Sequence, residues 1–260
     1  MPVTPAEKLA ALVGPRAGPV ACAWLGLADA TGAEIAGLAG FRLAVVDTEH
    51  GLAGPAALPD ILRAFALHGG AAMVRLGSAD EGAVKRALDA GAAGILFPQV
   101  ETVEAARAVV AASLYPPAGR RGSAVSVVRA AGFGAQSDYQ ANWNTRCLTG
   151  VQIESRAGLS AAEGIAAVPG VDLLFFGPFD YASDAGLDPV ADAAELAHVF
   201  DEIVAAARAS EKIAGAFPWP GADPAALAAQ GAAVIACGSD IRLLVDGFTA
   251  ARAAFEDAVS

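Results

Sequence analysis

The sequence predicts a (β/α)₈ barrel, the TIM-barrel fold, in which eight parallel strands close into a ring and a helix follows each strand. Two observations favour this fold class. Short apolar runs alternate along the 260 residues with segments whose apolar residues recur at helical spacing. The predicted strands are also apolar on both faces, as is typical of a parallel sheet covered by helices. An open doubly wound sheet is the alternative, because abundant Ala and Gly blur several helix boundaries.

The elements can be placed in chain order. An N-terminal helix should begin after Thr4, because Pro5 suits a first turn and Glu7 completes a capping box. Strands are expected at residues 20–25, 43–47, 72–76, 94–97, 148–154, 173–180, 213–217 and 233–237. Helices should fill the intervals, and a last helix should run from about Asp240 to Asp257. One α/β domain over residues 1–260 accounts for this pattern.

A long segment at about 113–140 interrupts the alternation between the fourth and fifth strands. It contains the pair Pro116-Pro117 followed by Arg120 and Arg121. Long connections in compact domains commonly cover a site or contact a partner. The segment is therefore expected to be a lid or a subunit contact, and a flexible surface loop is the alternative.

Composition excludes several classes of function. The 17 basic and 28 acidic residues give a net charge of -11, which disfavours nucleic-acid binding. No apolar run is long enough to cross a membrane. Glu7 and Lys8 interrupt the N-terminus where a signal peptide would be apolar, so a cytoplasmic location is expected. The three cysteines match no metal motif and are interpreted as reduced residues in or near the core.

Two acids follow neighbouring predicted strands. Glu154 ends the fifth strand, and Asp180 ends the run that forms the sixth. If the two strands are parallel neighbours, both carboxylates converge at one edge of the sheet. Two such groups without Cys or His suit a hard divalent cation that keeps positions for water and substrate. The alternative is that each acid is a helix cap or a solvated loop residue.

The basic residues sort by their position relative to strand ends. Only His50 among the three histidines follows a strand, which makes it the candidate base, although a loop histidine bonded to backbone is the alternative. None of the three lysines lies near a strand's carboxyl end, so imine catalysis is disfavoured. Arg75 closes the third strand, where it could hold a carboxylate or an enolate oxygen, or form a salt bridge. Asp89 ends a helix against the helix dipole, which suggests a partner such as His50.

Several short motifs together resemble the HpcH/HpaI aldolase family, the metal-dependent class II pyruvate aldolases such as 4-hydroxy-2-oxoheptanedioate aldolase. The match covers most of the chain and depends on the order of the motifs. They are Asp47-x-Glu49-His50-Gly51, Val74-Arg75, the run from Lys85 to Gly94, Tyr115-Pro116-Pro117-x-Gly119-x-Arg121-Gly122, Gln152-Ile153-Glu154 and Gly177-Pro178-x-Asp180.

The resemblance implies a phosphoenolpyruvate/pyruvate-type barrel that cleaves a 4-hydroxy-2-oxo acid to pyruvate, or a close 2-oxo acid, and an aldehyde. Glu154 and Asp180 are implied as ligands of Mg²⁺ or Mn²⁺, with Co²⁺ as a further option. His50 is implied as the proton acceptor, with Asp89 raising its basicity, Arg75 stabilising the transition state and Asp47 supporting. The implied substrate-binding residues are Gln152, Gly177, Pro178, Phe179, whose backbone would meet the 2-oxo acid, and Trp24. Family members are typically hexamers, trimers of dimers with an exchanged C-terminal helix, and their sites draw on subunit boundaries.

Two positions depart from the family pattern. Phe179 stands where a small residue is usual, and Gln99 stands where methionine is common. The aldehyde side of the pocket is therefore expected to be narrower or altered. The alternative functions are a citrate-lyase-β or malyl-CoA-type lyase, a 2-oxo acid decarboxylase, and a non-catalytic barrel whose pocket Phe179 blocks.

Overall fold

A computed structural model of the chain describes residues 3–15, 17–27 and 29–259. Within them, eight parallel strands pair in sequence order and the eighth pairs with the first, which closes the barrel. The strands β1 to β8 are Val20–Leu25, Leu43–Asp47, Ala71–Arg75, Gly94–Phe97, Leu148–Ile153, Leu173–Phe176, Ile213–Ala216 and Val234–Ser239. The predicted (β/α)₈ fold is confirmed, and the open sheet is excluded.

Helices surround the barrel and join its strands. The α-helices α1 to α12 are Pro5–Val13, Ala30–Leu38, Leu58–Ala66, Glu81–Ala90, Val103–Ser113, Tyr139–Trp143, Arg156–Ser160, Ala162–Ala166, Pro178–Ala185, Ala193–Ala209, Pro224–Gln230 and Asp240–Val259. Asp180 lies in the first turn of α9 rather than in a strand, because β6 ends at Phe176. No helix in the described ranges is long and apolar enough to cross a membrane.

The core has two parts. One lies between the strands and the outer helices, where α3 contributes Ile61, Leu62 and Phe65 from a single face. The other fills the inside of the barrel with side chains such as Met73 and Phe175. Leu9 of α1 joins this inner part, so the N-terminal helix closes the end of the barrel at which the strands begin.

A buried ion pair fastens α1 to this closed end. The Lys8 ammonium lies 2.9 Å from Asp172, which precedes β6, and donates to the Cys147 carbonyl before β5. The Asp172 carboxylate also accepts from the backbone N–H of Thr149. Both charged side chains are almost fully buried, so each depends on the other for compensation of its lost hydration.

Replacing Lys8 with Met should lower the free energy of unfolding by about 3 kcal/mol, because removal of one partner leaves a buried carboxylate without its cation. Urea unfolding followed by fluorescence measures the change. Lys212→Met is the matched control, since Lys212 lies near Asp172 but is only half-buried and forms no ion pair among the described contacts. Equal losses in the two variants would contradict the assignment of the ion pair.

The segment between α5 and β5 packs against its own chain. Arg121 is fully buried, its guanidinium carbon lies 4.6 Å from the Tyr115 ring centroid and 4.5 Å from that of Trp143, and it bonds to Asp89 at 2.7 Å. A 3₁₀ turn at Arg129–Gly134 and helix α6 follow. The start of this segment is therefore a core element, and the alternative of a flexible surface loop does not describe it.

The C-terminal helix stands apart from the barrel. None of the residues of α12 is buried, and its apolar side chains Leu243, Leu244, Val245 and Phe248 are exposed. Its first residue is nevertheless fixed, because the Asp240 carboxylate accepts from the backbone N–H groups of Gly26 and Leu27 at 2.8 and 3.1 Å.

Candidate active site

The carboxyl ends of the strands form the open mouth of the barrel, where the predicted site residues gather. Asp47 ends β2 and Arg75 ends β3, and Glu154 follows β5 directly. The parallel register places Asp47 opposite Arg75 and Ile153 opposite Phe176. Because β5 and β6 are neighbours, the loops after them lie side by side, as the sequence predicts.

Asp47 is the centre of a hydrogen-bond network at the mouth. Its carboxylate accepts two bonds from Arg75, at 2.6 and 3.0 Å, and one from the Trp24 indole at 3.2 Å. It also accepts from the backbone N–H groups of Glu49 and His50. Burial alone would raise the pKa of Asp47, but the bonds from Arg75 and Trp24 outweigh it and hold the pKa below its ordinary value. Asp47 therefore stays ionised, orients the side chains of Arg75 and Trp24, and fixes the backbone at Glu49 and His50.

Arg75 is held between two carboxylates. Besides Asp47, it lies 3.1 Å from Glu49, and its guanidinium carbon lies 4.9 Å from the Trp24 ring centroid. Its side chain is almost fully buried yet lines a cavity at the mouth. A guanidinium fixed in this way is a preorganised donor for an oxygen that gains negative charge.

Glu154 is oriented by two donors. One carboxylate oxygen accepts from the Gln99 backbone N–H at 2.8 Å, and the other accepts from the Gln152 side-chain amide at 2.7 Å. Gly177 leaves room for the second oxygen, because a Cβ at this position would lie 2.6 Å from it. Gln99 adopts a positive φ of 50° and contacts Glu154 through its main chain, so the departure from methionine does not remove this contact.

Negative charge is concentrated around Glu154. Burial is the largest cause that raises the pKa of Glu154 to about 7, and the charges of Asp180 and Glu49 add to it. The hydrogen bond from the Gln99 backbone lowers this pKa but does not offset the rise. Burial also raises the pKa of Glu49, and Asp180 adds to that shift. The acids around Glu154 thus oppose its ionisation, and Arg75 compensates them only in part.

The residues present fit a divalent cation. Glu154 and Asp180 offer carboxylate oxygens, and the buried side-chain oxygen of Gln152 has no hydrogen-bond partner among the described atoms. Oxygen-only donors are those that Mg²⁺ and Mn²⁺ accept. In the described part of the chain, no group of three or more His, Cys, Asp or Glu side chains is arranged as a metal site.

His50 lies at the junction of two cavities. It is exposed, and its side chain lines both a cavity of about 180 Å³ and a neighbouring one of about 500 Å³. We call these the inner lobe and the outer lobe. The inner lobe is lined by His50, Arg75, Gln152, Gly177, Pro178, Phe179, Asp180 and Phe217. The outer lobe is lined by Trp24, Gly26, Asp47, His50, Gly51, Phe179, Phe217, Pro218, Gly238, Ser239, Ile241 and Arg242.

Phe179 does not fill either lobe. Its side chain is 51% exposed and lines both cavities, next to Asp180 in the first turn of α9. A residue that plugged the barrel would be buried among its walls. The arrangement therefore argues against a blocked, non-catalytic barrel.

Within this chain the partner of Asp89 is Arg121 rather than His50, the partner suggested from the sequence. Asp89 lies in the last turn of α4 and bonds to Arg121 at 2.7 Å. Helices of a (β/α)₈ barrel run antiparallel to its strands, so the end of α4 lies at the closed end of the barrel. His50 follows β2 and lies at the mouth, so the thickness of the barrel separates the two residues.

Four residues at the mouth were not assigned a role from the sequence. Phe217 follows β7 directly, Asp240 and Ile241 follow β8, and Glu49 was considered only as part of a motif. The rule that selected His50 and Glu154, position after a strand, would have selected Phe217 as well. Asp240 and Ile241 begin a helix, and nothing in the local sequence shows that they face the mouth.

Comparison with known proteins agrees with this geometry. A sequence model of the HpcH/HpaI aldolase/citrate lyase family matches residues 21–247. The chain belongs to that family. The HpcH/HpaI relatives include a hydroxypyruvate/pyruvate aldolase of Agrobacterium fabrum, 36% identical over 84% of this chain and 82% of the relative. A 2-keto-3-deoxy-L-rhamnonate aldolase of Salmonella gallinarum is 33% identical over 91% of this chain and 89% of its own.

The fold of the family is matched as well. A solved HpcH/HpaI aldolase/citrate lyase family protein from Burkholderia cenocepacia superposes with a TM-score of 0.86 and 32% identity. The superposition covers 99% of this chain and 100% of that protein. The HpcH/HpaI resemblance predicted from the order of the motifs is therefore confirmed.

Proposed function

We propose that this carbon–carbon lyase catalyses the reversible, divalent-metal-dependent aldol cleavage of a 4-hydroxy-2-oxo acid to pyruvate, or a close 2-oxo acid, and an aldehyde. One observation carries the proposal: His50, Arg75, Gln152 and Asp180 line a single cavity, and Glu154 lies beside it, bonded to Gln152. The cavity thus combines a base, an anion-stabilising cation and a pair of carboxylates. The names of the aldolase relatives agree with this reaction class.

In the cleavage direction, the bond between C3 and C4 of the substrate breaks. Its electron pair stays on the pyruvate fragment as an enolate, and the C4 hydroxyl becomes the aldehyde carbonyl as its proton leaves. His50 is proposed to accept that proton, because its exposed ring lies at the junction of the two lobes. A proton then adds to C3 of the enolate to give pyruvate.

Arg75 is proposed to stabilise the enolate oxygen. Its guanidinium is fixed before the substrate binds by Asp47 and Glu49, so the reaction need not reorganise it. Asp47 acts through Arg75 and Trp24, which makes it a positioning residue. Gln152, Gly177, Pro178 and the backbone at Phe179 are proposed to contact the 2-oxo acid, since they line the inner lobe.

Glu154 and Asp180 are proposed to hold the cation, Mg²⁺ or Mn²⁺ or alternatively Co²⁺. When bound, it would supply Lewis-acid stabilisation of the negative charge that develops on the 2-oxo acid. The raised pKa of Glu154, to which burial and then the nearby charge of Asp180 contribute, and the unpartnered side-chain oxygen of Gln152 support this assignment.

Asp89 can influence His50 only from another protomer, because the two residues lie at opposite ends of one barrel. We therefore propose a hexameric assembly in which Asp89 reaches a neighbouring site. The exposed apolar side chains of α12 agree with an exchanged C-terminal helix in such an assembly. The three free cysteines agree with the proposed cytoplasmic location, where thiols stay reduced.

Aldol cleavage should stop in the presence of a chelator and return when Mg²⁺, Mn²⁺ or Co²⁺ is added in excess. Pyruvate release coupled to lactate dehydrogenase measures the activity. Treatment with pyruvate and borohydride should leave the protein mass unchanged, because Lys8, Lys85 and Lys212 line neither lobe. A lysine adduct found by mass spectrometry, or full activity in chelator, would refute the proposed mechanism.

A further inference from the structure

The outer lobe differs chemically from the inner one. Its walls are mainly carbon, from the rings of Trp24, Phe179 and Phe217 together with Pro218 and Ile241. The Trp24 and Phe217 rings pack with their centroids 4.4 Å apart, and Phe217 also meets Phe175 of the barrel core edge-on at 5.7 Å. The rings of Trp24 and Phe217 are therefore held by packing on each other and on Phe175, and they present a fixed apolar surface to the outer lobe.

The charged groups of the outer lobe are already engaged. Asp47 accepts five hydrogen bonds from Trp24, Arg75, Glu49 and His50. Arg242 forms an ion pair with Asp246 one turn further along α12, at 2.5 Å. Asp47 is the one buried charge among the lining residues of the outer lobe, and its donors compensate it within the chain. Arg242 is largely exposed, and its pair with Asp246 lies on the surface of α12.

Helix α12 fixes the remaining wall. The bonds from Gly26 and Leu27 to the Asp240 carboxylate hold the start of the helix against the loop after β1. They place the Ile241 side chain over Gly26, so closely that a Cβ on Gly26 would lie 3.1 Å from Ile241 Cδ1. Ile241 thus adds a fixed apolar side chain to the wall of the outer lobe.

Phe179 stands where the two lobes join. Together with His50 and Phe217 it lines both cavities, and half of its surface is exposed. In the proposed reaction His50 accepts the hydroxyl proton, so the reacting carbon lies near His50, which lines both lobes. The remainder of an aldehyde that reacts there must then pass Phe179 and enter the outer lobe.

We propose that the outer lobe binds the side chain of the aldehyde and selects apolar, above all aromatic, aldehydes, with Phe179 as the specificity-determining residue. This inference rests on the proposed aldol reaction and adds the substrate class on its aldehyde side. The free face of the Phe179 ring packs on the aldehyde's apolar group, which removes apolar surface from water on both partners.

The test compares kcat/KM for aldol addition of pyruvate to benzaldehyde and to glycolaldehyde, with Mn²⁺ present. The wild-type protein should have a kcat/KM for benzaldehyde about tenfold or more above that for glycolaldehyde. This is the discrimination that a well-filled apolar pocket usually provides. Phe179→Ala should reduce this preference ratio about tenfold, and Phe179→Leu should fall between the two. Phe133→Ala is the matched control, because Phe133 is an exposed phenylalanine that lines neither lobe, and its ratio should equal that of the wild type.

A second measurement separates this inference from the proposed reaction. Exchange of the pyruvate methyl protons with deuterated water reports enolate formation without any aldehyde. Exchange in the wild-type protein combined with a preference for glycolaldehyde would overturn the inference and leave the aldol reaction standing. A benzaldehyde preference that Phe179→Ala leaves unchanged would overturn the role of Phe179. Absence of both exchange and addition would refute the proposed reaction and the inference together.

Discussion

A Glu154→Gln protein should lose metal binding, pyruvate binding and aldol turnover together. The substitution replaces one of two carboxylates by a neutral amide of the same size, so the loss is electrostatic rather than steric. Cation stabilisation of the developing charge contributes several kcal/mol, which corresponds to a fall in kcat/KM of about 10³-fold. Isothermal titration with Mn²⁺, with and without pyruvate, and coupled kinetics measure the three quantities.

Glu101→Gln is the matched control for this prediction. Glu101 lies just after β4, accepts a bond from Ser155 at 2.6 Å and lines neither lobe, so its substitution should leave Mn²⁺ affinity unchanged. Equal melting temperatures of the two variants would exclude a folding defect. Wild-type Mn²⁺ affinity in the Glu154→Gln protein would contradict the assignment of Glu154 as a ligand.

The His50→Ala protein should show a different pattern. Pyruvate and metal binding should stay near those of the wild-type protein, because the carboxylates, Gln152 and Arg75 remain in place. Aldol turnover should fall by about 10² to 10⁴, the usual range for loss of a positioned general base. Decarboxylation of oxaloacetate requires no removal of a hydroxyl proton, so it should be reduced less than aldol cleavage.

His198→Ala serves as the control for the histidine, since His198 is exposed on α10 and far from either lobe. Initial rates of both reactions, measured on each variant with the same metal, give the comparison. Equal reduction of cleavage and decarboxylation in His50→Ala, with intact metal binding, would mean that His50 holds the substrate and does not move its proton.

The barrel was predictable because the same local pattern, a short apolar run followed by a segment with apolar residues at helical spacing, is repeated along the chain. The apolar runs at Val20–Leu25, Leu43–Asp47 and Gly94–Phe97 gave the strands with their observed bounds, and the other strands differ by one to four residues at one or both ends. The residues at strand ends followed from the same rule, since parallel strands present their carboxyl ends at one face. These predictions need only the position of a residue in its own element.

Pairings between distant elements were not predictable in this way. The unfavourable place of Asp89 at a helix end indicated a partner, but a single sequence does not show whether His50 or Arg121 is that partner. Because α4 runs antiparallel to the strands, Asp89 lies at the closed end of the barrel, where Arg121 and not His50 is within reach. Likewise, the local sequence around Asp240 does not indicate that its carboxylate binds the loop after β1. The bonds from Gly26 and Leu27 to Asp240 join residues more than 200 positions apart.

The division of the mouth into two lobes has a consequence for divergence within the family. The proposed chemistry uses β2, β3, β5 and β6, whereas the outer wall is made by β1, β7, β8 and the first turn of α12. Substitutions can therefore accumulate on one side of the barrel while the other stays unchanged, and His50, Phe179 and Phe217 are the residues that line both lobes. Under the proposed mechanism, one reaction can in this way serve different aldehydes.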